Sequence, residues 1–155
     1  MRVLVIGSSA SARADLSRID RKDYQLIIGV NQAANEFGPV DVHITLHPEE
    51  FAKCKAAHLV SYKPWPLVDE VFDWRWPSLK ANSGSSGLYA VKYALQRKAT
   101  HVTLAGVSMD EQPHFDGRPF KMWNNYRPAW KANLPALKGK VFSLSGWTAQ
   151  LLGEP

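Results

Sequence analysis

The sequence predicts an α/β protein with a doubly wound, mainly parallel sheet flanked by helices. Two observations carry this prediction. Short apolar runs rich in β-branched residues recur along the chain, and stretches with apolar residues at helical spacing alternate with them. The length of 155 residues matches one domain of roughly 150 residues, and no internal repeat is present. We therefore expect residues 1–155 to form a single domain.

The apolar runs predict buried strands. Each is four or five residues long and stops at a glycine or at a polar residue, as strands covered on both faces of a parallel sheet do. The first run ends at Gly7 and predicts the central strand. The predicted strands, in chain order, are 3–6, 26–30, 42–46, 101–105 and 141–144, with a further short strand near Val71 and Phe72.

Helical spacing predicts helices after the first strand and after Gly87. Residues 11–19 carry Ala12, Leu16 and Ile19 on one face, with a serine available as N-cap. After Gly87 the apolar stripe is longer, and basic residues follow at its C-terminal end. We expect this second helix to be the best defined of the chain.

Three further segments give weaker local signals. Residues 148–152 predict a last short helix. Pro48 predicts a helix start, because proline suits the first helical position and the two acidic residues after it suit the positive end of the helix dipole. Residues 62–80 interleave prolines with tryptophans, which predicts a loop rather than a regular helix.

The composition excludes several classes of protein. No apolar run approaches the roughly 20 residues of a membrane span, and the four apolar residues before Gly7 are too few for a signal peptide core of about 7 to 15. The one cysteine, Cys54, has no thiol partner for a disulfide or a zinc site. We expect a cytoplasmic protein with no membrane partner, and its oligomeric state stays open.

The charge is modest and unevenly distributed. The chain has 19 basic and 14 acidic residues, a net charge of +5. Residues 23–50 contain five acidic residues and no lysine or arginine, whereas residues 81–100 contain three basic residues and no acidic one. Such an excess suits an anionic small ligand as well as it suits nucleic acid.

Ligands of a doubly wound sheet bind beyond the carboxyl ends of its strands, so the loops there hold the candidate binding residues. The first loop supplies Gly7, Ser8 and Ser9 but no G-x-G-x-x-G, which disfavours a common NAD site. Asn31 and Gln32 end the second strand. An amide both donates and accepts hydrogen bonds, so it suits a ribose or a base edge. Asn31 also fits a simple turn at the strand end.

A glycine- and serine-rich loop, residues 83–87, opens the helix after Gly87 and is the strongest local signal. The N–H groups at a helix start favour an anion such as phosphate, and Ser85, Ser86 and Gly87 add hydroxyl donors and close backbone approach. No Lys-Ser/Thr pair follows, so this is not a Walker A loop. The alternative is a flexible loop in which Ser86 only caps the helix.

Catalytic and metal chemistry have fewer candidates. His114 follows the loop 106–110 and suits a general base oriented by Asp110 or Asp116. His47, at a strand end, is a candidate ligand contact. It lies about 13 Å along an extended strand from His43, too far to share a metal. We predict no metal site and no cofactor, and expect ligand binding to survive EDTA.

Residues 121–131 offer a competing interpretation. Trp123, Tyr126 and Trp130 are interleaved with Lys121, Arg127 and Lys131, as in a stacking platform for single-stranded nucleic acid. The three aromatic residues also stand at helical spacing, which favours burial against the sheet. We favour burial, so nucleic acid is a less favoured partner.

Four segments together resemble the nucleotide-binding core of bacterial family 42 sialyltransferases and related Rossmann-like proteins. Those proteins show a G-x-G/P-S loop, a strand ending in Asn-Gln, a T-S-G-x-Y helix start and a strand ending in a G-I-D type turn. The corresponding segments here are VIGSSAS (5–11), VNQ (30–32), SSGLY (85–89) and LAGVSMD (104–110).

The resemblance implies a Rossmann-like fold and CMP-like ligand binding without metal. It implies that Asn31 contacts the nucleotide and that Ser86 contacts phosphate or the transferred sugar. Members of that family place a catalytic histidine before the final strand and helix, where residues 126–130 of this chain contain none. Over nearly its whole length the chain also resembles small phage and prophage proteins, which implies little about function.

The sequence therefore predicts a protein that binds a nucleotide or a nucleotide sugar, and it leaves open whether this protein is also a minimal, metal-independent glycosyltransferase. The alternative is a nonenzymatic, phage-type module that binds a nucleotide or single-stranded nucleic acid. Turnover separates the two.

Overall fold

The structure, a computed structural model, describes residues 1–54, 57–76 and 85–155. Its strands, in chain order, are β1 Arg2–Ile6, β2 Leu26–Val30, β3 Val42–Ile44, β4 His58–Ser61, β5 Glu70–Val71, β6 His101–Ala105 and β7 Val141–Ser143. All seven form one parallel sheet in the order β5-β4-β3-β2-β1-β6-β7.

Six α-helices and one short 3-10 helix, Arg21–Asp23, accompany the sheet in the described residues. None of these helices is long and apolar enough to cross a membrane. The α-helices are α1 Ala12–Leu16, α2 Ala33–Glu36, α3 Ser86–Gln96, α4 Trp123–Ala132, α5 Leu134–Leu137 and α6 Gly146–Leu152.

The helices cover both faces of the sheet because the central strand is apolar on both sides. Val3 and Val5 of β1 face a core shared with α3 and α4. Leu4 and Ile6 face a second core shared with α1 and α2. All four side chains are fully buried. This doubly wound α/β arrangement confirms the predicted fold class.

The order of the strands reverses beside β1. From β1 the chain winds outward through β2, β3, β4 and β5, and it then returns through α3 to β6 on the opposite side of β1. The loops after β1 and β6 therefore leave adjacent strands toward opposite faces of the sheet. Such a switch point opens a crevice at the carboxyl ends of the two strands.

One local prediction is wrong, and one strand of the sheet was not predicted. The helix predicted to start at Pro48 is absent: the Glu50 N–H bonds the His47 carbonyl in a single turn, and Glu49 pairs with Lys63 from the next loop. The strand β4 was not predicted, because its apolar stretch in the sequence is only two residues long. The predicted strand near Val71 is confirmed as β5.

Candidate functional site

A cavity of about 470 Å³ lies at the switch point. Loops after β1, β2, β3 and β6 line it, together with the start of α3 and the segment that leads into α4. Among the described residues its lining holds two histidines and one lysine and no carboxylate. The lining residues are Gly7, Ser8, Ser9, Val30, Asn31, His47, Ser85, Ser86, Gly87, Gly106, Val107, Ser108, Met109, His114, Pro119, Phe120, Lys121, Met122 and Tyr126.

The cavity brings together most of the residues that the sequence analysis proposed. Its lining includes the following predicted residues: Gly7, Ser8, Ser9, Asn31, His47, Ser85, Ser86, Gly87 and His114. Gln32, Asp110 and Asp116 do not line it. Residues 83 and 84 of the predicted anion loop lie outside the described residues. That these two residues contact a ligand stays a prediction.

Two glycines allow the loops after β1 and β6 to meet at the floor of the cavity. A Cβ on Gly7 would lie 2.4 Å from the Gly106 carbonyl oxygen. Gly106 has a φ of +68°, and a Cβ there would lie 2.6 Å from Ala12. Any other residue at either position would force the loops apart. Gly7 thus shapes the floor through backbone contact.

The start of α3 forms one wall. Ser85 is its N-cap, one residue earlier than the sequence suggested: the Ser85 hydroxyl accepts a hydrogen bond from the Leu88 N–H at 3.2 Å, and the Ser85 carbonyl accepts one from the Tyr89 N–H. No hydrogen bond among the described residues uses the N–H groups of Ser86 and Gly87. These two donors are directed outward from the positive end of an 11-residue helix.

Asn31 lies at the end of β2, and its side chain has a fixed orientation. The residue adopts a left-handed φ of +52°, which asparagine tolerates well. Its Oδ1 accepts the Thr45 hydroxyl at 2.8 Å, and the Thr45 oxygen in turn accepts the His47 N–H at 2.9 Å. Thr45 is fully buried, so its proton requires this acceptor. The Asn31 amide nitrogen is therefore left to donate to a ligand.

His43 lies buried in β3, beneath this strand end. Its Nδ1 accepts the Cys54 N–H at 3.2 Å, which places the ring proton on Nε2. Burial lowers the pKa of His43 from 6.5 to about 4, although a contact with the Asn31 backbone opposes the shift. His43 is thus neutral at physiological pH and acts as part of the support for Asn31.

We expect His43 to make the fold acid-sensitive. In the unfolded chain the imidazole binds a proton below about pH 6.5, whereas in the folded chain it does so only near pH 4. Stability is therefore lost as the pH falls through this window. Between pH 7 and pH 5 the loss from His43 is about 2 kcal/mol. Urea unfolding of wild type and His43→Gln at both pH values measures it.

The matched control for this measurement is His58→Gln, because His58 is exposed at the far side of the sheet. The free energy of unfolding of His43→Gln should depend less on pH than that of wild type or His58→Gln. An equal pH dependence in all three proteins would contradict the assignment.

His114 is held against the loop after β1. Its Nδ1 lies 3.3 Å from the Ser8 carbonyl oxygen, which only accepts hydrogen bonds, so Nδ1 carries the proton and Nε2 keeps its lone pair. Backbone hydrogen bonds of Ala10 and Phe115 fix the same loop pair. Burial, and then the nearby Arg118 charge, lower the pKa of His114 from its ordinary value of 6.5. A neutral histidine with a free nitrogen suits a general base.

The two carboxylates proposed to orient His114 have other partners. Asp110 accepts the Trp147 N–H at 3.1 Å, at the start of α6, and pairs with Arg127 at 3.3 Å. Asp116 pairs with Arg118 at 2.7 Å. Asp110 therefore caps a helix, and the orientation of His114 comes from the Ser8 carbonyl. The catalytic roles of both carboxylates stay predictions without a supporting contact.

The aromatic and basic segment forms α4 and packs on the sheet. Trp130 is fully buried as expected, whereas Trp123 and Tyr126, which were expected to be buried with it, are only half-buried. Arg127 lies over two tryptophan rings. The Arg127 guanidinium carbon is 4.4 Å from the ring centre of Trp123 and 4.9 Å from the ring centre of Trp147. Tyr126 lines the cavity. No continuous stacking platform results.

Ten of the nineteen described lining residues were not among the predicted residues of a nucleotide site; Ser108, Phe120 and Lys121 are three of them, and Lys121 was considered only for the alternative nucleic-acid surface. Ser108 lies in the loop 106–110, which the sequence analysis marked as a crevice loop, so its position was predictable. Phe120 and Lys121 lie in a long segment before α4 that has no periodic pattern. Only the path of that segment across the crevice places them in the site.

Within the part of the chain that the structure describes, one group of possible metal ligands is found, and it lies at the rim of the site. Ligand atoms of His47, Glu49 and Glu50 come within 4.8 Å of one another, and all three residues are exposed. Glu49 already pairs with Lys63 at 2.8 Å, which neutralises part of the charge that a cation would need. If EDTA were to reduce ligand binding, this group, rather than Asp110 or Asp116, would be the first to test.

The fold and site define a Rossmann-like α/β protein with a crevice at the β1–β6 switch point. Among solved structures, the chain is similar to a mammalian sialyltransferase in complex with Gal-beta-1-3GalNAc-ortho-nitrophenol. The TM-score is 0.55 at 14% sequence identity, over 94% of this chain and 69% of that one. At this identity the similarity concerns the fold. No protein-family model matches the chain, and no curated protein matches it.

Proposed function

We propose that this chain binds a nucleotide or a nucleotide sugar in the crevice at the switch point. One observation carries the proposal: the cavity lies where doubly wound sheets bind ligands, and the start of α3, with backbone N–H groups that no described residue uses, forms one of its walls. Lys121 adds a positive charge, and no carboxylate among the described lining residues opposes an anion. This is the environment that a phosphate requires.

The remaining walls suit the other parts of such a ligand. Asn31 offers an amide donor from the end of β2. Phe120 and Tyr126 also line the cavity, with ring centres 6.1 Å apart, and provide apolar surface for a base or a sugar. A cavity of about 470 Å³ falls within the range of roughly 300–1,000 Å³ that small-molecule sites occupy.

The proposal extends to glycosyl transfer without a metal. The similar solved structure is a sialyltransferase, and His114 is a neutral histidine beside the same cavity. In this reaction Nε2 of His114 would accept the proton of an acceptor hydroxyl as its oxygen attacks the sugar. The bond from the sugar to the nucleotide phosphate would break, and the α3 N-terminus and Lys121 would stabilise the released phosphate.

The alternative, a nonenzymatic nucleotide or single-stranded nucleic-acid module, has less support. Trp130 has no exposed surface on which a base could stack, and Arg127 covers Trp123. An interleaved aromatic and basic sequence here serves helix packing.

We expect Ser86→Asp to weaken binding of CMP, UMP or their sugar conjugates by roughly 100-fold. Two negative charges about 5 Å apart repel by ~3 kcal/mol at an effective dielectric constant of about 20. The same aspartate favours the helix itself, because an acidic residue suits the first turn, so the fold should persist. A thermal-shift panel of nucleotides, followed by calorimetry on those that bind, measures the change.

Ser86→Ala is the control, since it keeps the backbone donors of α3 and adds no charge. It should bind within about fivefold of wild type and clearly more tightly than Ser86→Asp, because the loss of one hydroxyl hydrogen bond costs about 1 kcal/mol and introduces no repulsion. The proposal fails if no nucleotide or nucleotide sugar shifts the melting temperature of wild type. It also fails if Ser86→Asp binds as wild type does.

A further inference from the structure

A buried carboxylate lies behind the cavity floor and has no basic partner among the described residues. Asp15 in α1 is 2% exposed. Its Oδ2 accepts the Gly106 N–H at 2.8 Å, the Ser145 hydroxyl at 2.7 Å and the Ser11 hydroxyl at 3.1 Å. A carboxylate accepts hydrogen bonds and donates none, so every hydroxyl at this oxygen directs its proton toward it.

A row of serine hydroxyls connects this carboxylate to the cavity. Ser11 Oγ lies 3.3 Å from Ser9 Oγ, and Ser9 Oγ lies 2.8 Å from Ser108 Oγ. Ser9 and Ser108 line the cavity, whereas Ser11 and Ser145 do not. We call Ser108, Ser9, Ser11 and Asp15, in this order, the serine relay.

The serine relay has one arrangement in which all three of its contacts are hydrogen bonds. Each hydroxyl has one proton, and Ser11 donates its proton to Asp15. The Ser145 hydroxyl, 2.9 Å from Ser11, is a donor to Ser11 and to Asp15 and takes no proton from the relay. The contact between Ser9 and Ser11 then uses the proton of Ser9, and the contact between Ser108 and Ser9 uses the proton of Ser108. All of these protons are directed inward, toward Asp15.

The consequence for the cavity is that this wall accepts hydrogen bonds. Ser9 Oγ also accepts the Ser11 N–H at 3.4 Å, so it has no capacity left after the Ser108 contact. Ser108 gives its only proton to Ser9 and keeps its lone pairs. Ser108 lines the cavity although it is only 2% exposed, so a ligand group that reaches its hydroxyl meets an acceptor, opposite in character to the donors at the start of α3.

We propose that the Ser108 hydroxyl accepts a hydrogen bond from a ribose hydroxyl of the ligand, and that Asp15 sets this polarity through Ser11 and Ser9. The inference rests on the proposed nucleotide site and adds an orientation to it. Ribose hydroxyls are the donors that all ribonucleotides and their sugar conjugates share, whatever the base. A phosphate has no proton to give and would meet only oxygen lone pairs here, so it lies at the α3 end.

Isothermal titration calorimetry with CMP and with 2′,3′-dideoxy-2′,3′-difluoro-CMP tests this polarity, because a fluorine accepts a hydrogen bond weakly and cannot donate one, whereas a hydroxyl does both. Wild type should bind CMP about five- to tenfold more tightly, since the dideoxy compound has lost the donor. Ser11→Ala should reduce this ratio toward one, because both compounds can then accept the Ser108 proton. Without Ser11 the Ser9 proton has no inward acceptor, and Ser108 is free to turn its own proton into the cavity.

Ser145→Ala is the matched control, because it also removes a serine hydroxyl from Asp15 but leaves the direct contact from Ser11. It should keep the wild-type ratio. Circular dichroism verifies that both variants are folded. If no nucleotide binds wild type, the proposed function itself fails, together with this inference.

Three results overturn the inference while leaving the proposed function intact. The first is that wild type binds both compounds equally. The second is that Ser11→Ala keeps the ratio, and the third is that Ser145→Ala loses the ratio together with Ser11→Ala. The last result would mean that the two serines act by positioning Asp15 and not by setting the direction of protons.

Discussion

Replacing Trp130 with alanine is expected to lower the free energy of unfolding by about 3–5 kcal/mol, the usual cost of truncating a fully buried aromatic residue. Trp130 has no exposed surface and belongs to the core between α4 and the sheet. One edge of its ring lies 3.8 Å from the position that a Cβ on Gly87 would take, so the cavity left behind would adjoin the start of α3. Urea unfolding followed by circular dichroism measures the loss.

Trp123→Ala is the control from the same helix. Trp123 is only half-buried, and the Arg127 guanidinium lies over its ring. Such a cation–π interaction contributes about 0.5–1 kcal/mol at partly exposed sites. The variant should therefore stay folded. Equal destabilisation by the two substitutions would contradict the packing of α4. Because Trp123→Ala keeps the fold, it is also the variant that tests base stacking.

Fold class was predictable because the relevant signals are local. A buried parallel strand needs apolar residues on both faces, so β1, β2 and β6 stand out in the sequence as apolar runs. β4 has only Leu59 and Val60 as an apolar pair, and the strand forms because β3 and β5 supply hydrogen bonds on both sides. The signal at Pro48 was a helix-start preference, which a single turn also satisfies.

The site was partly predictable for a topological reason. In a doubly wound sheet the loops at the strand ends meet in space, so Ser9, Asn31 and Ser86 are brought together although they are distant in sequence. The hydrogen-bond partner of each side chain could not be predicted from the sequence. Asp110 lies in a crevice loop, yet its oxygens accept the N–H of Trp147. The serine relay depends on Asp15, a helix residue that no motif marked.

Serine residues at the site have different hydrogen-bonding roles, which depend on their positions in the structure and not on residue type. Ser85, Ser9 and Ser108 are all serines at the ends of strands or at a helix start. The Ser85 hydroxyl is used in capping α3, Ser9 is saturated within the relay, and Ser108 keeps lone pairs for a ligand. Hydrogen-bond partners, and not the presence of serine, decide which surface meets phosphate.

Replacing His114 with glutamine is expected to reduce glycosyl transfer by about 10²–10⁴-fold while changing the Kd of the nucleotide by no more than a few-fold. General base catalysis contributes a factor of this size, and among the described residues the imidazole contacts the Ser8 carbonyl and the Phe120 ring rather than α3, where the phosphate is proposed to bind. Transfer from a CMP-sugar to an acceptor hydroxyl, with Kd measured separately, tests the split. His58→Gln, at the far side of the sheet, is the control.

The pH dependence separates catalysis by His114 from a structural role. Burial and the Arg118 charge lower the pKa of His114 below 6.5, so transfer should remain constant near neutral pH and fall only in the more acidic range, as the base becomes protonated. Arg118→Gln removes a positive charge that disfavours the imidazolium, which raises the pKa of His114 and moves the acid limb of the pH profile upward. An unmoved acid limb in Arg118→Gln, or full transfer by His114→Gln, would rule out His114 as the base. Nucleotide binding with no transfer at any pH would favour the nonenzymatic module.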